Sequence, residues 1–324
     1  MPRKPRLSIP GALHHVMARG IEGRPIFNDD EDRKFFLSLL AEGIAETGFK
    51  CYAWVLMNNH YHLLLRVNEV ELCSMMRPLN SKYARWFRTK NKGRGYLFQD
   101  RFKSLVTQDQ GYLEELVRYI HLNPVRAGIC RTLSELDNYQ WSGHVVLMGS
   151  VKCLFQETGA VLNRFGHDPA IARREYRQFL SAATRRDVKK ELIADFRKGS
   201  NEKIDRHDHR CWVIGDPEFV AAALENDRAK RIRVASYVKK GWNIQAVAEK
   251  VAEQMKIDIG EIARRGRRND RSMLRKVVAA LAHRACGIPI IEIARFYGVA
   301  GSSVSRMMDQ GERYVSDNKI QLKQ

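Results

Sequence analysis

Residues 57–66 read MNNHYHLLLR. Two histidines, His60 and His62, bracket a tyrosine and run straight into three leucines. In a β-strand alternate side chains share a face. His60 and His62 therefore point one way, and Tyr61, Leu63 and Leu65 point the other, toward a helical cover. The preceding run FKCYAWVLM (49–57) is rich in aromatic and β-branched residues and reads as a strand. Asn58 and Asn59, which tolerate positive φ, make the turn between them. The stretch is a hairpin whose second strand opens with two imidazoles on one side. Such a pair can chelate one cation. An ordinary pair of histidines at a strand start has the same spacing, so the decision falls to the rest of the chain.

Working outward, GALHHVMAR (11–19) leads into a first strand. Residues 28–48 carry Phe35, Phe36, Leu39, Leu40 and Ile44 at helical spacing, with Asn28 or Asp29 to cap the helix and Gly48 to end it. Residues 71–90 place Leu72, Met75, Met76, Leu79, Tyr83 and Trp86 along one side of a second helix. NKGRG (91–95) is a basic loop, FQDRFKSLV (98–106) a returning strand, and Asp109 a cap for a helix over 111–123. The order is strand, helix, strand, strand, helix, strand, helix. It predicts an α+β fold: a ferredoxin-like antiparallel sheet with helices on one face.

The last of those helices contains RYIHLNPVRAG (118–128). Tyr119 and Asn123 are four apart and share a face, while Leu113, Leu116, Val117 and Ile120 supply the packing side. Pro124 disfavours helical geometry at Asn123, so the helix is expected to end there. A carboxamide oxygen at a helix end can serve as a third cation ligand, with Tyr119 beside it. Each residue also has a simpler reading, a packed surface tyrosine and a capping asparagine. Only the combination with His60 and His62 favours chemistry. Tyr112, two turns earlier, is a rival nucleophile lacking an Asn four residues on. His121 lies on another face and reads as structural or as a DNA contact.

The 324-residue chain is long enough for two or three domains, and 44% hydrophobic residues suffice for a real core. No apolar run approaches the ~18 residues of a membrane span, and the basic N-terminus lacks the apolar stretch of a secretion signal. We expect a soluble, cytoplasmic, nucleoid-associated protein with no membrane partner. The six cysteines form no CxxC pair, which argues against zinc ribbons and disulfide frameworks. A formal charge of +19 attracts polyanions and makes nucleic acid the default partner.

The second half is different in character. Residues 181–210 are polar and highly charged and read as a helix and linker; HDH (207–209) sits there in a solvent-exposed setting. Near the end, EIARFYGVAGSSVSRMM (292–308) places Ala294, Gly298 and Val304 at helix-turn-helix spacing. Ser302, Ser303, Ser305 and Arg306 would face a DNA groove. Just upstream, Arg264, Arg265, Arg267 and Arg268 concentrate positive charge. This region resembles the DNA-binding domain of the replication initiator DnaA. The expected division is a catalytic domain over 1–150, a helical extension and charged linker over 151–210, and an all-α helix-turn-helix domain over 211–324.

NHYHLLL followed by YIHLNPVRAG resembles the single-tyrosine HUH transposases, most closely the REP-associated tyrosine transposases. GALHHVMARGIEGRPIF (11–27), YLFQDRFKS (96–104) and WSGH (141–144) resemble the surrounding segments of that family in the right order. The resemblance implies nicking and rejoining of single-stranded DNA, at hairpin-forming repeats, through a 5′-phosphotyrosine on Tyr119. It implies one Mg²⁺ or Mn²⁺ held by His60, His62 and Asn123. Arg19, Arg101, Lys103 and Arg126 are expected to grip the DNA backbone, in a monomer or homodimer, with flanking duplex DNA as a further partner. The alternatives are a DNA-binding regulator and a metal-dependent nuclease that uses water.

Overall fold

The computed structural model describes residues 7, 9–68, 70–108, 111–183, 213–262, 269–299 and 301–322. Its sheet is built around the histidine strand. Strands β1 (Leu13–Arg19), β2 (Lys50–Leu56), β3 (His60–Arg66), β4 (Lys103–Thr107) and β5 (Val213–Ile214) are arranged in the order β2-β3-β1-β4-β5. The β2–β3 hairpin turns at Asn58 and Asn59, where the Met57 N–H donates to the His60 carbonyl at 2.8 Å. β1 enters between β3 and β4, antiparallel to both. The sheet is mixed rather than wholly antiparallel, because β5 runs parallel to β4. The expected strand from residue 98 begins only at Lys103; Phe98 makes an isolated bridge to Gly20.

One face carries Val16, Ala18, Trp54, Leu56, Tyr61, Leu63 and Leu65. It is covered by α1 (Asp30–Thr47), through Phe36 and Leu40, and α2 (Leu72–Lys90), through Met75, Met76, Leu79 and Tyr83. α1 starts where the Asp29 side chain accepts from the Asp32 N–H, and it stops at Gly48 with φ 69°. That left-handed stop costs a glycine nothing, because it has no Cβ. The opposite face carries Leu13, Ala53, Val55 and Leu64. Leu113, Leu116, Val117 and Ile120 of α3 (Leu113–His121) cover it. The sheet is therefore sandwiched between helices, not covered on one side as the element order suggested. The strongly one-sided α3 needs an apolar partner, and the second sheet face is that partner.

α3 ends at His121, and a single further turn, α4 (Asn123–Arg126), restarts with Pro124 in its first turn. A proline is tolerated there because its missing N–H would have had no intrahelical acceptor. The expected break is real, yet Asn123 opens a new turn instead of leaving the helical region. Beyond it, α5 (Leu133–Leu136), α6 (His144–Leu147), α7 (Thr158–Leu162) and α8 (Pro169–Ala183) add Leu136, Leu147, Val161, Leu162, Ala172, Tyr176 and Leu180 to the same core. Residues 151–183 thus complete the core that holds α3.

The chain divides into two units, 1–224 and 225–324. Helix α9 (Pro217–Lys239) begins in the first and ends in the second. The second unit contains α10 (Ile244–Met255), α11 (Asn269–Arg284), α12 (Ile290–Tyr297) and α13 (Gly301–Asn318) around Val247, Val251, Leu274, Val277, Val278, Ile293, Val304 and Met308. α12 ends at Gly298 with φ 63°, and α13 starts three residues later. α13 crosses α11 very closely. A Cβ added at Gly311 would sit 2.0 Å from the Lys276 carbonyl oxygen. Among the described residues no helix is long and apolar enough to cross a membrane. Cys51, Cys73, Cys130, Cys153 and Cys286 are free thiols. The 207–209 segment lies outside the described residues.

Candidate active site

Register decides what surrounds the two histidines. On β1 and β3, Arg19 pairs with His60 and Met17 with His62; on β4, Lys103 pairs with Met17. Directly opposed residues of an antiparallel pair share a face. His60, His62, Arg19 and Lys103 therefore lie on the face that α3 covers. α3 packs over β2 and β3; Arg19 on β1 and Lys103 on β4 are exposed, while His62 is buried and His60 half-buried.

Tyr119 descends from α3 onto this histidine row. Its ring meets His62 edge-on, with centroids 6.1 Å apart, and His15 at 5.6 Å. The His60 and His62 rings are themselves 5.1 Å apart. Tyr119 lies beside the histidines of its own chain. Burial pushes its phenol above the ordinary tyrosine range, with the nearby Arg126 guanidinium opposing that shift. Arg126 stacks over the Tyr119 ring at 4.9 Å and donates to the Tyr119 carbonyl at 3.3 Å. The expected backbone-gripping arginine thus also packs on the phenol. Asn123 donates its Nδ2 to the carbonyls of Tyr119, at 2.8 Å, and Ile120, at 3.2 Å. Carbonyls only accept, so those bonds fix the amide orientation and leave Oδ1 as its outward acceptor.

Two imidazoles on one face could hold a divalent cation only together with further oxygen donors. Among the described residues, no three His, Cys, Asp or Glu side chains converge into a metal-binding cluster. The donor set is two imidazoles, to be joined by neutral or phosphate oxygens. His60 Nδ1 lies 2.6 Å from Asn59 Oδ1. An amide oxygen only accepts, so Nδ1 carries the proton and Nε2 holds the lone pair. Burial, reinforced by Arg19, holds the His60 pKa below the ordinary histidine range. A neutral imidazole is the form that binds cations. Imidazole with oxygen suits Mn²⁺, and Mg²⁺ where phosphate completes the shell.

His15 is the site residue that sequence reasoning missed. Its Nε2 lies 2.9 Å from His62 Nδ1, and the two rings stack at 5.0 Å. It is buried, which pulls its pKa down to about 4. Period-two alternation along LHHVMAR would have placed His15 with Met17 and Arg19. The pairing of that face with β3 is non-local and cannot be read from spacing. Asn59 was read only as a turn residue, and it also orients His60.

A second buried set anchors the tyrosine helix. His121 Nδ1 is 2.7 Å from the Tyr176 hydroxyl, and His144 Nδ1 is 3.3 Å from it. His144 Nε2 meets Asp137 at 2.8 Å, and Arg177 donates to the same carboxylate at 2.9 Å. These bonds tie α3 to α6 and α8. His121 is fully buried, which rules out the DNA contact weighed for it. Tyr61 is in the core, as expected, with its hydroxyl donating to Asn80 at 2.7 Å. Tyr112 precedes α3 as a half-buried residue on the packing side.

The remaining expected contacts are distributed more loosely. Arg101 is exposed in the bend before β4. In the second unit Arg306 is exposed and Ser303 half-buried on α13. Arg264, Arg265, Arg267 and Arg268 lie outside the described residues, as do the side chains of Ser302 and Ser305.

Residues 9–123, which hold the strands, the paired histidines and Tyr119, match the family model described as "Transposase IS200 like". Over this segment the chain is similar to the IS200-like transposases. The match stops at Asn123, whereas the core around α3 continues through α5 to α8. A solved structure described as a REP-associated tyrosine transposase bound to a REP hairpin is similar at 17% identity, covering 44% of this chain and 82% of that chain, with a TM-score of 0.37. No curated protein matches the chain.

Proposed function

We propose that the chain is a metal-dependent DNA strand transferase that cuts and rejoins single-stranded DNA at hairpin-forming sequences, using Tyr119 as nucleophile. The observation that carries this reading is the edge-on approach of the Tyr119 ring to His62, on the sheet face that also holds His60. The transposase match over residues 9–123 supports it at the level of the family.

In this reading Arg19 and Lys103, exposed on β1 and β4 to one side of the histidine strand, hold the DNA backbone. Arg101 and Arg126 extend that grip. His60 and His62, with the Asn123 oxygen, would hold one Mg²⁺ or Mn²⁺. When bound, the ion polarises the scissile phosphate and neutralises developing charge. The Tyr119 oxygen attacks phosphorus; the bond to the 3′ oxygen breaks, and that oxygen takes a proton to become a free hydroxyl. The phenol gives its proton to solvent as the bond forms, and the Arg126 guanidinium over the ring favours its loss. The product is a 5′-phosphotyrosine. A DNA 3′-hydroxyl later attacks that linkage, restoring the phosphodiester and returning the phenol. Bond energy is retained throughout, so no nucleotide triphosphate is consumed.

We extend the proposal to the second unit. The α12–Gly298–α13 turn, with Val304 buried and Arg306 exposed, is compatible with a helix-turn-helix that reads duplex DNA beside the hairpin. The test uses hairpin oligonucleotides with and without a duplex flank, with Mn²⁺ or with EDTA. A denaturing gel is expected to show a covalent protein–DNA adduct that needs Mn²⁺ and is lost in Tyr119→Phe, with tighter binding to the flanked substrate. Cleavage that survives the substitution would point instead to hydrolysis by water. Tight binding with no cleavage would point to a regulator.

A further inference from the structure

The two histidines of the pair are not held in the same way. His60 is oriented by its own neighbour, Asn59, through a 2.6 Å contact at Nδ1. His62 is oriented by a residue on another strand. His15 reaches across from β1, one cross-strand step away from the direct Met17–His62 pair, and places its Nε2 2.9 Å from His62 Nδ1. Only 3% of His15 is exposed. Its ring lies nearly parallel to His62, at 26°, and edge-on to Tyr119, at 74°. One buried side chain therefore touches both the second imidazole of the pair and the phenol.

We propose that His15 is a positioning residue: its Nε2 accepts a hydrogen bond from His62 Nδ1–H, which leaves His62 Nε2 as the lone pair facing the cation and sets the ring against which Tyr119 packs. This rests on the reading of His60 and His62 as cation ligands. The opposite direction of the bond would put the His62 proton on Nε2 and block ligation. The contact with Asn59 already fixes the lone pair of His60 at Nε2, so the proposed direction gives both imidazoles the same donor atom. Ligand histidines are commonly held in this manner by a hydrogen bond at the other ring nitrogen, and loss of such a partner costs on the order of 10–100-fold in metal affinity. A leucine at position 15 fills most of the space and cannot accept a hydrogen bond. A glutamine offers an amide oxygen near the place of Nε2.

The test uses the full-length chain and Mn²⁺ alone, followed by electron paramagnetic resonance. His15→Leu is expected to weaken Mn²⁺ binding on the order of 10–100-fold, and His15→Gln to bind close to the native affinity. Nitrogen-15 spectra of the histidine rings in the metal-free native protein are expected to show His62 as the Nδ1–H tautomer. A His62 Nε2–H tautomer overturns the proposal, as does a folded His15→Leu protein with native Mn²⁺ affinity. If His15→Leu does not fold, the tautomer in the native protein decides. A native chain that binds no Mn²⁺ overturns the cation reading itself and this inference with it, so the two failures are distinct.

Discussion

A buried histidine is a conditional contributor to stability, and this chain buries several. His14, next to the site residue but on the opposite face of β1, is fully buried with Nδ1 2.9 Å from the Ser104 hydroxyl. Burial, partly offset by a hydrogen bond with the Ile9 backbone, lowers its pKa to about 4. The folded chain therefore refuses a proton that the unfolded chain accepts. Its contribution is fully present above pH ~6.5 and is lost as pH falls toward the folded value. At 1.36 kcal/mol per pH unit, acidification to pH 5 costs about 2 kcal/mol from this residue alone. Urea unfolding in EDTA is expected to show native protein losing stability between pH 7 and 5, and His14→Gln losing about 2 kcal/mol less; equal losses would contradict the assignment. The same scale separates what the sequence disclosed from what it hid. His60, His62, Tyr119 and Asn123 were legible because each pair is linked by local spacing, two along a strand or four along a helix. His15 was not, because its partner is 47 residues away and the contact exists only once β1 and β3 are in register. The Asp137–His144–Tyr176–His121 set was hidden for the same reason.

At the level of elements, the order of strands and helices through α3 followed from periodicity and caps. Placement did not follow. The hydrophobic side of α3 could be read, but not that it would cover the second face of the sheet. Strand β4 was expected from Phe98, whose aromatic character suits a strand. In the fold that residue makes one bridge to Gly20 and packs against the first core, and pairing begins at Lys103. β5 is two residues long and carries no readable periodicity. The close crossing of α11 and α13 gives an element-scale prediction. Gly311 leaves no room for even a methyl group beside the Lys276 carbonyl, and backbone cannot move aside as a flexible side chain can. Overpacking of this kind costs about 1–3 kcal/mol. Gly311→Ala is expected to lower the melting temperature of the second unit and leave covalent adduct formation by the first intact. An unchanged melting profile would show that the helices are not that close.

For the whole molecule, the charge of +19 favours polyanion partners, and the residues of the proposed chemistry all lie in the first of the two units. The transposase match covers residues 9–123, yet the core that fixes α3 extends to Leu180. Truncation at the end of the matched segment would expose Val117 and Ile120 and remove Tyr176 from His121. Composition could announce a polyanion partner, but only the folded arrangement brings a phenol against a histidine pair. The account stands on the identity of that phenol. The most direct measurement is mass-spectrometric mapping of the peptide that remains linked to a hairpin oligonucleotide after Mn²⁺-dependent cleavage. The account predicts a phosphonucleotide on Tyr119. Linkage at Tyr112, or a cleaved strand with no linked peptide, would contradict it.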